Sequence, residues 1–159
     1  MKTICLVLGL ILSALGGQAQ TGLAASAQPE SRTAKPKAPT MKILVHVTHG
    51  PEDPTRAALA FLVAKAALEE GHTVSLFLAG NAVLLLRDKE MDTVEGVGTG
   101  KLKEHYEAIV KSGGRFYLSG MSAKARGMTD DDIKGKPAEF AMPKVLVQLS
   151  VDHDRMFTY

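Results

Sequence analysis

Residues 41–80, MKILVHVTHGPEDPTRAALAFLVAKAALEEGHTVSLFLAG, decide the fold. Met41 to Thr48 is a short apolar run rich in β-branched residues, which predicts a buried first strand. His49-Gly50-Pro51 breaks it. Asp53-Pro54 then supplies an N-cap with proline at the first helical position, and Gly71 supplies the stop. Thr73 to Leu78 reads as a second strand, with Val74, Leu76 and Leu78 alternating against Thr73, Ser75 and Phe77. Strands that alternate with helices pair in parallel, so the expected class is a layered α/β sheet. Between the strands, Ala57 to Leu68 is apolar nearly all round. Such a helix needs cover on more than one side, here expected from the sheet and from another subunit.

The pattern continues toward the C-terminus. Asn81 is placed to cap a short helix through Arg87, and Asp88 to Gly100 reads as a loop. Leu102, Tyr106, Ile109 and Val110 recur at helical spacing before Gly113-Gly114. Arg115 to Ser119 reads as a third strand and Thr129 to Ile133 as one capped turn. Val145, Val147, Leu149 and Val151 alternate as a strand would, but Pro143 suits a helix start. Pro143 to Ser150 is therefore read as a helix and Arg155 to Tyr159 as the last strand.

In the other direction, Lys2 and the apolar run Ile4 to Leu15 have the form of a secretory signal, with Gly17-Gln18-Ala19 at its end. Cleavage is expected after Ala19, with Ala27 as second choice. The run is short for a membrane span, and no stable membrane anchor is expected. Residues 20–40 are rich in Ala, Ser, Gln, Pro and Lys and read as a flexible linker, leaving one domain over residues 41–159. The expected location is periplasmic or secreted. The only cysteine is Cys5, inside the apolar run. A chain cleaved after Ala19 has no disulfide, thiolate metal site or cysteine nucleophile. Net charge is +2, with no basic block beyond the linker, so nucleic acid is not an expected partner.

Several motifs invite catalytic readings and fall short of them. GVGTGKL, residues 96–102, opens a helix, but a phosphate loop needs glycine where Glu95 stands and a hydroxyl where Leu102 stands. It reads as a mobile loop. His46 and His49, three apart on a strand, face opposite sides, which argues against shared metal ligation. Neither a metal nor a cofactor is expected. GMSAK around Ser122 lacks the last glycine of the hydrolase elbow, although Asp152 and His153 follow in chain order. A turn serine is the commoner explanation. Arg126 is either a surface charge or an anion ligand over the crevice, since its planar fork suits carboxylate, phosphate or sulfur oxyanions.

The residues 41–83 stretch, LSGMSAKARG (residues 118–127) and the final DRMFTY (154–159) together resemble the DsrE-like family of small α/β proteins. The most specific matches are the His49-Gly50 turn with Arg56, Phe77-Leu78-Ala79-Gly80, and Ala125-Arg126-Gly127. The resemblance implies a flavodoxin-like layered sheet, mostly parallel, with helices on both faces, and homo-oligomers, often trimers or hexamers. Its sulfur carriers hold a persulfide on a cysteine ahead of the arginine-glycine pair. Matching on Arg126 and Gly127 puts Ser119 and Ser122 at the cysteine positions, and a serine hydroxyl cannot carry sulfane sulfur. Thr48, His49, Asn81, Ser119, Ser122 and Arg126 are the expected ligand-binding residues, because parallel strand ends border one crevice. The favoured reading is an exported, non-catalytic oligomer that binds a small anionic ligand or a partner. The alternative is a cysteine-independent enzyme that uses His49 and Arg126.

Overall fold

The computed structural model describes residues 39–159. The expected signal peptide and all but the end of the linker lie outside the described residues. The first strand, β1 (Lys42–Val47), sends Ile43, Val45 and Val47 to one face and Leu44 and His46 to the other. Helix α1 (Pro54–Glu69) starts where Asp53 Oδ1 accepts a hydrogen bond from the Arg56 amide at 3.0 Å. Strand β2 (Thr73–Leu78) then lies parallel to β1, with Lys42 opposite Thr73 and Val47 opposite Leu78.

Three shorter pieces follow: a 3-10 helix (Gly80–Leu86), α2 (Asp88–Thr93), and a hairpin of β3 (Glu95–Gly96) and β4 (Gly100–Lys101). Residues 88–100 are therefore structured, contrary to the expected loop. The Val97 amide donates to Thr55 Oγ1 at 3.1 Å, fastening the hairpin tip to α1. At Gly96 a Cβ would overlap Thr55 and Thr99, so the glycine-rich run serves close packing. It is a clasp on α1, not a mobile loop.

The remainder is α3 (Leu102–Lys111), β5 (Arg115–Ser119), α4 (Gly120–Ala125), α5 (Asp130–Ile133), β6 (Ala138–Ala141), α6 (Pro143–Asp152) and β7 (Arg155–Thr158). The five long strands form one parallel sheet in the order β6-β5-β2-β1-β7. This is a flavodoxin-like layered α/β arrangement. The ambiguous segment at Pro143 resolves as helix followed by strand. Strand β6 has no counterpart in the sequence reading. It is four residues long, pairs on one side only, and directly follows Pro137.

The two faces of the sheet are covered unequally. On one, α1, the 3-10 helix, α3 and α4 close over Val45, Leu76, Leu78 and Leu118. Phe116 lies between Phe61 and Tyr106, with ring centroids 5.9 and 5.2 Å away. Helix α1 buries Ala57, Ala58, Ala60, Phe61 and Ala64. On its other side it packs against α3 and the hairpin of the same chain. Leu59, Leu62 and Val63 remain half-exposed. The other face carries a smaller cluster of Leu44, Phe77 and Ala141 under Val145, Leu146 and Leu149 of α6.

Candidate functional site

The β1–α1 loop, the 3-10 helix after β2, and the β5–α4 turn meet at the carboxyl edge of the sheet, where crevices form in parallel α/β proteins. Contact between the first two requires Gly50, because a Cβ there would overlap the backbone carbonyl of Asn81. On the other side, the Gly80 amide donates to Ser122 Oγ at 3.0 Å, joining the second and third segments. Ser119 ends β5 and caps α4, its Oγ accepting from the Ser122 amide at 3.4 Å.

Arg126 is half-buried and oriented from two directions. Its Nε donates to Asn81 Oδ1 at 2.8 Å, and its Nη1 donates to the Ser122 carbonyl at 3.3 Å. Asn81 does not cap the 3-10 helix as expected; Ala79 stands at that position, and the Asn81 amide points at Arg126 instead. The turn that carries Arg126 is itself held by Arg87. Its Nη2 donates to the carbonyls of Arg126 and Gly127, each at 2.9 Å, while its Nε pairs with Asp132 Oδ1 at 3.4 Å. Arg126 forms no ion pair among the described residues. Its outer guanidinium edge retains free N–H donors.

Thr48 and His49 belong to a separate chain of hydrogen bonds. An arginine only donates, so the 2.9 Å contact from Arg56 Nη1 makes His49 Nε2 the acceptor. The proton of that neutral ring then sits on Nδ1, which donates to Thr48 Oγ1 at 3.1 Å. Thr48 Oγ1 in turn donates to the Tyr159 carbonyl at 2.8 Å. Both His49 nitrogens are engaged in hydrogen bonds in this arrangement.

Glu52 is a member of this edge that the sequence reading missed. Its Oε1 accepts from the Gly50 amide at 3.0 Å. Desolvation pushes the carboxyl up, but hydrogen bonds from the Gly50 and Glu52 amides and from Asn81 outweigh it and hold the pKa below the usual value. Asn81 thus stands between an acid and a base, with its oxygen toward Arg126 and its NH2 toward Glu52.

The other motifs separate in space. His153 bonds Ser75 Oγ at 3.1 Å and the Leu149 carbonyl at 2.7 Å. It precedes β7, whose first residue Arg155 lies opposite Ile43, so it sits at the amino edge of the sheet. Ser122 is at the opposite edge, and no Ser-Asp-His triad forms. His46 packs edge-on against Phe77, 6.0 Å between ring centroids, with Nε2 buried and unbonded. Burial lowers its pKa. Among the described residues, no group of three or more His, Cys, Asp or Glu side chains is arranged to hold a metal. A cavity of about 330 Å³ lies beside α4, lined by Ala123, Gly127, Met128 and Phe140 among others. None of the six expected ligand residues lines it.

Fold and edge together define a small parallel α/β domain with an arginine-bearing turn at the strand ends and no thiol in the matched segment. The chain belongs to the DsrE/DsrF-like family, which matches residues 41–159. Three solved structures share the fold. The ychN protein of Escherichia coli is 18% identical, with a TM-score of 0.61 over 76% of this chain and 100% of that one. MTH1491 of Methanobacterium thermoautotrophicum is 16% identical, with a TM-score of 0.58 over 75% and 99%. BT1422 of Bacteroides thetaiotaomicron is 15% identical, with a TM-score of 0.54 over 74% and 94%. No curated protein matches the chain.

Proposed function

We propose that this chain is an exported, non-catalytic member of its family that works as a homo-oligomer and binds a small anion at Arg126. One observation carries the reading. Arg126 is fixed by Asn81 and Ser122, yet no carboxylate among the described residues pairs with it. A half-buried cation held in place without a counter-charge is prepared for an anion from solution. Sulfite, thiosulfate or a carboxylate suits its planar fork. Glu52, one amide away, opposes an incoming negative charge, so binding is weak and sensitive to salt. The engagement of both His49 nitrogens weighs against the enzymatic alternative. Export rests on the apolar run at Ile4 to Leu15, and oligomerisation on the half-exposed Leu59, Leu62 and Val63 of α1.

Calorimetry with sulfite, thiosulfate and acetate tests the site. The wild-type protein should bind at least one of them, and Arg126→Ala should bind none. Equal heats for the two proteins, or none for either, would remove the anion site.

A further inference from the structure

We propose that α6 forms a two-fold contact between two copies of this chain, pairing antiparallel with the same helix of its partner. This rests on the oligomer reading above and adds to it a surface on the face of the sheet opposite α1. Helix α6 buries none of its residues, although Val145, Leu146 and Leu149 lean on the sheet. On its outer side Val147 and Val151 are 62% and 78% exposed. They stand four residues apart, so they form one apolar stripe. Beside the helix runs a trough of about 580 Å³ over Tyr117, lined by Leu149, Gln148 and both exposed valines. Among the described residues, α6 supplies every helical side chain of the small cluster on this face. The stripe and trough therefore have no cover within the domain.

The charges identify the occupant. Lys144 sits in the first turn of α6 and Asp152 in the last, each at the end where the helix dipole disfavours it. A second α6 running antiparallel reverses the penalty. In the register that sets Val147 against the partner's Val151, the helix rise brings Lys144 within about one turn of the partner's Asp152. Two-fold symmetry repeats every such pair, so one register satisfies both ends at once. Met156, 43% exposed, lies opposite Leu44 in the sheet and so extends the apolar surface on this face.

Sedimentation equilibrium on the full-length chain separates the outcomes. Val147→Asp with Val151→Asp places like charges across the contact and should raise the dissociation constant about tenfold or more. Lys144→Glu and Asp152→Lys should each weaken association, and the two combined should restore it, because the cross-pairs reform with signs exchanged. Each single swap also improves the helix's own dipole, so weakened association in the single variants cannot be mistaken for lost helix stability. If the double aspartate variant proves unfolded, the charge set alone decides. An unchanged mass distribution for the double aspartate variant, or no recovery in the combined one, overturns the α6 contact while leaving the oligomer reading intact. A monomeric wild-type protein overturns both.

Discussion

The Cβ of an alanine at position 50 would overlap the carbonyl of Asn81, so either the β1–α1 loop or the 3-10 helix has to move. Overpacking of this kind costs about 1–3 kcal/mol. Gly50→Ala should lose stability in that range by urea denaturation and should also weaken anion binding, because Asn81 positions Arg126. A variant of unchanged stability would mean that the two segments are not in contact. Ser122 offers a chemical readout of the same edge. Its oxygen accepts the Gly80 amide, and a sulfur placed there would inherit that donor. Ser122→Cys should therefore titrate below the free thiol value of about 8.5, read by thiolate absorbance. A thiol at or above that value would show that the amide and Arg126 do not act on the position. His46 provides the pH dependence. Burial lowers its folded pKa below 6.5, so above that pH both states are neutral. As pH falls below about 6.5, the unfolded chain takes up a proton that the folded one resists, and stability declines. His46→Gln should flatten that part of the stability curve, and an unchanged slope would assign it to other groups.

At the scale of elements, α3 anchors the larger face through Leu102, Tyr106 and Ile109. Desolvation pushes the Tyr106 phenol up to about 12. Its neutral form is favoured in the fold, so its contribution is complete below the ordinary tyrosine value of about 10 and is lost as pH rises toward 12. Tyr106→Phe should resist alkaline unfolding better than wild type, measured by circular dichroism across that window. Equal alkaline midpoints would place the phenol in solvent. The periodicity of α3 and of the β1-α1-β2 unit was legible in the sequence because each buries one face over many residues. The hairpin at 95–101 and strand β6 were not legible. Their strands are only two to four residues long and are fixed by partners far along the chain, Thr55 and β5. The candidate site divided in the same way. Strand ends placed Thr48, Asn81, Ser119 and Ser122 on one edge, but nothing local to Arg87 signals that it holds a turn 39 residues away. His49 looked available in sequence and is engaged in space, because Arg56 lies in the first turn of α1.

At the scale of the molecule, the parallel sheet gathers three loops at one edge, with Ser119, Ser122 and Arg126 on the last of them. An arginine locked by an amide and left without a counter-charge is what distinguishes this edge from an ordinary turn. Export would place it where small anions reach it from outside the cytoplasm, and the paired α6 helices would repeat it in each copy. The Arg126 Nε–H, bonded to Asn81 Oδ1, should give a protected side-chain signal in a nitrogen–proton NMR spectrum, assigned by its loss in Arg126→Lys. Titration with thiosulfate is the most direct test of the site. An anion bound at Arg126 should shift this signal saturably, and the shift should shrink as salt is raised. A signal that stays in place while the anion reaches millimolar concentration, or that exchanges too fast to be seen, would contradict it.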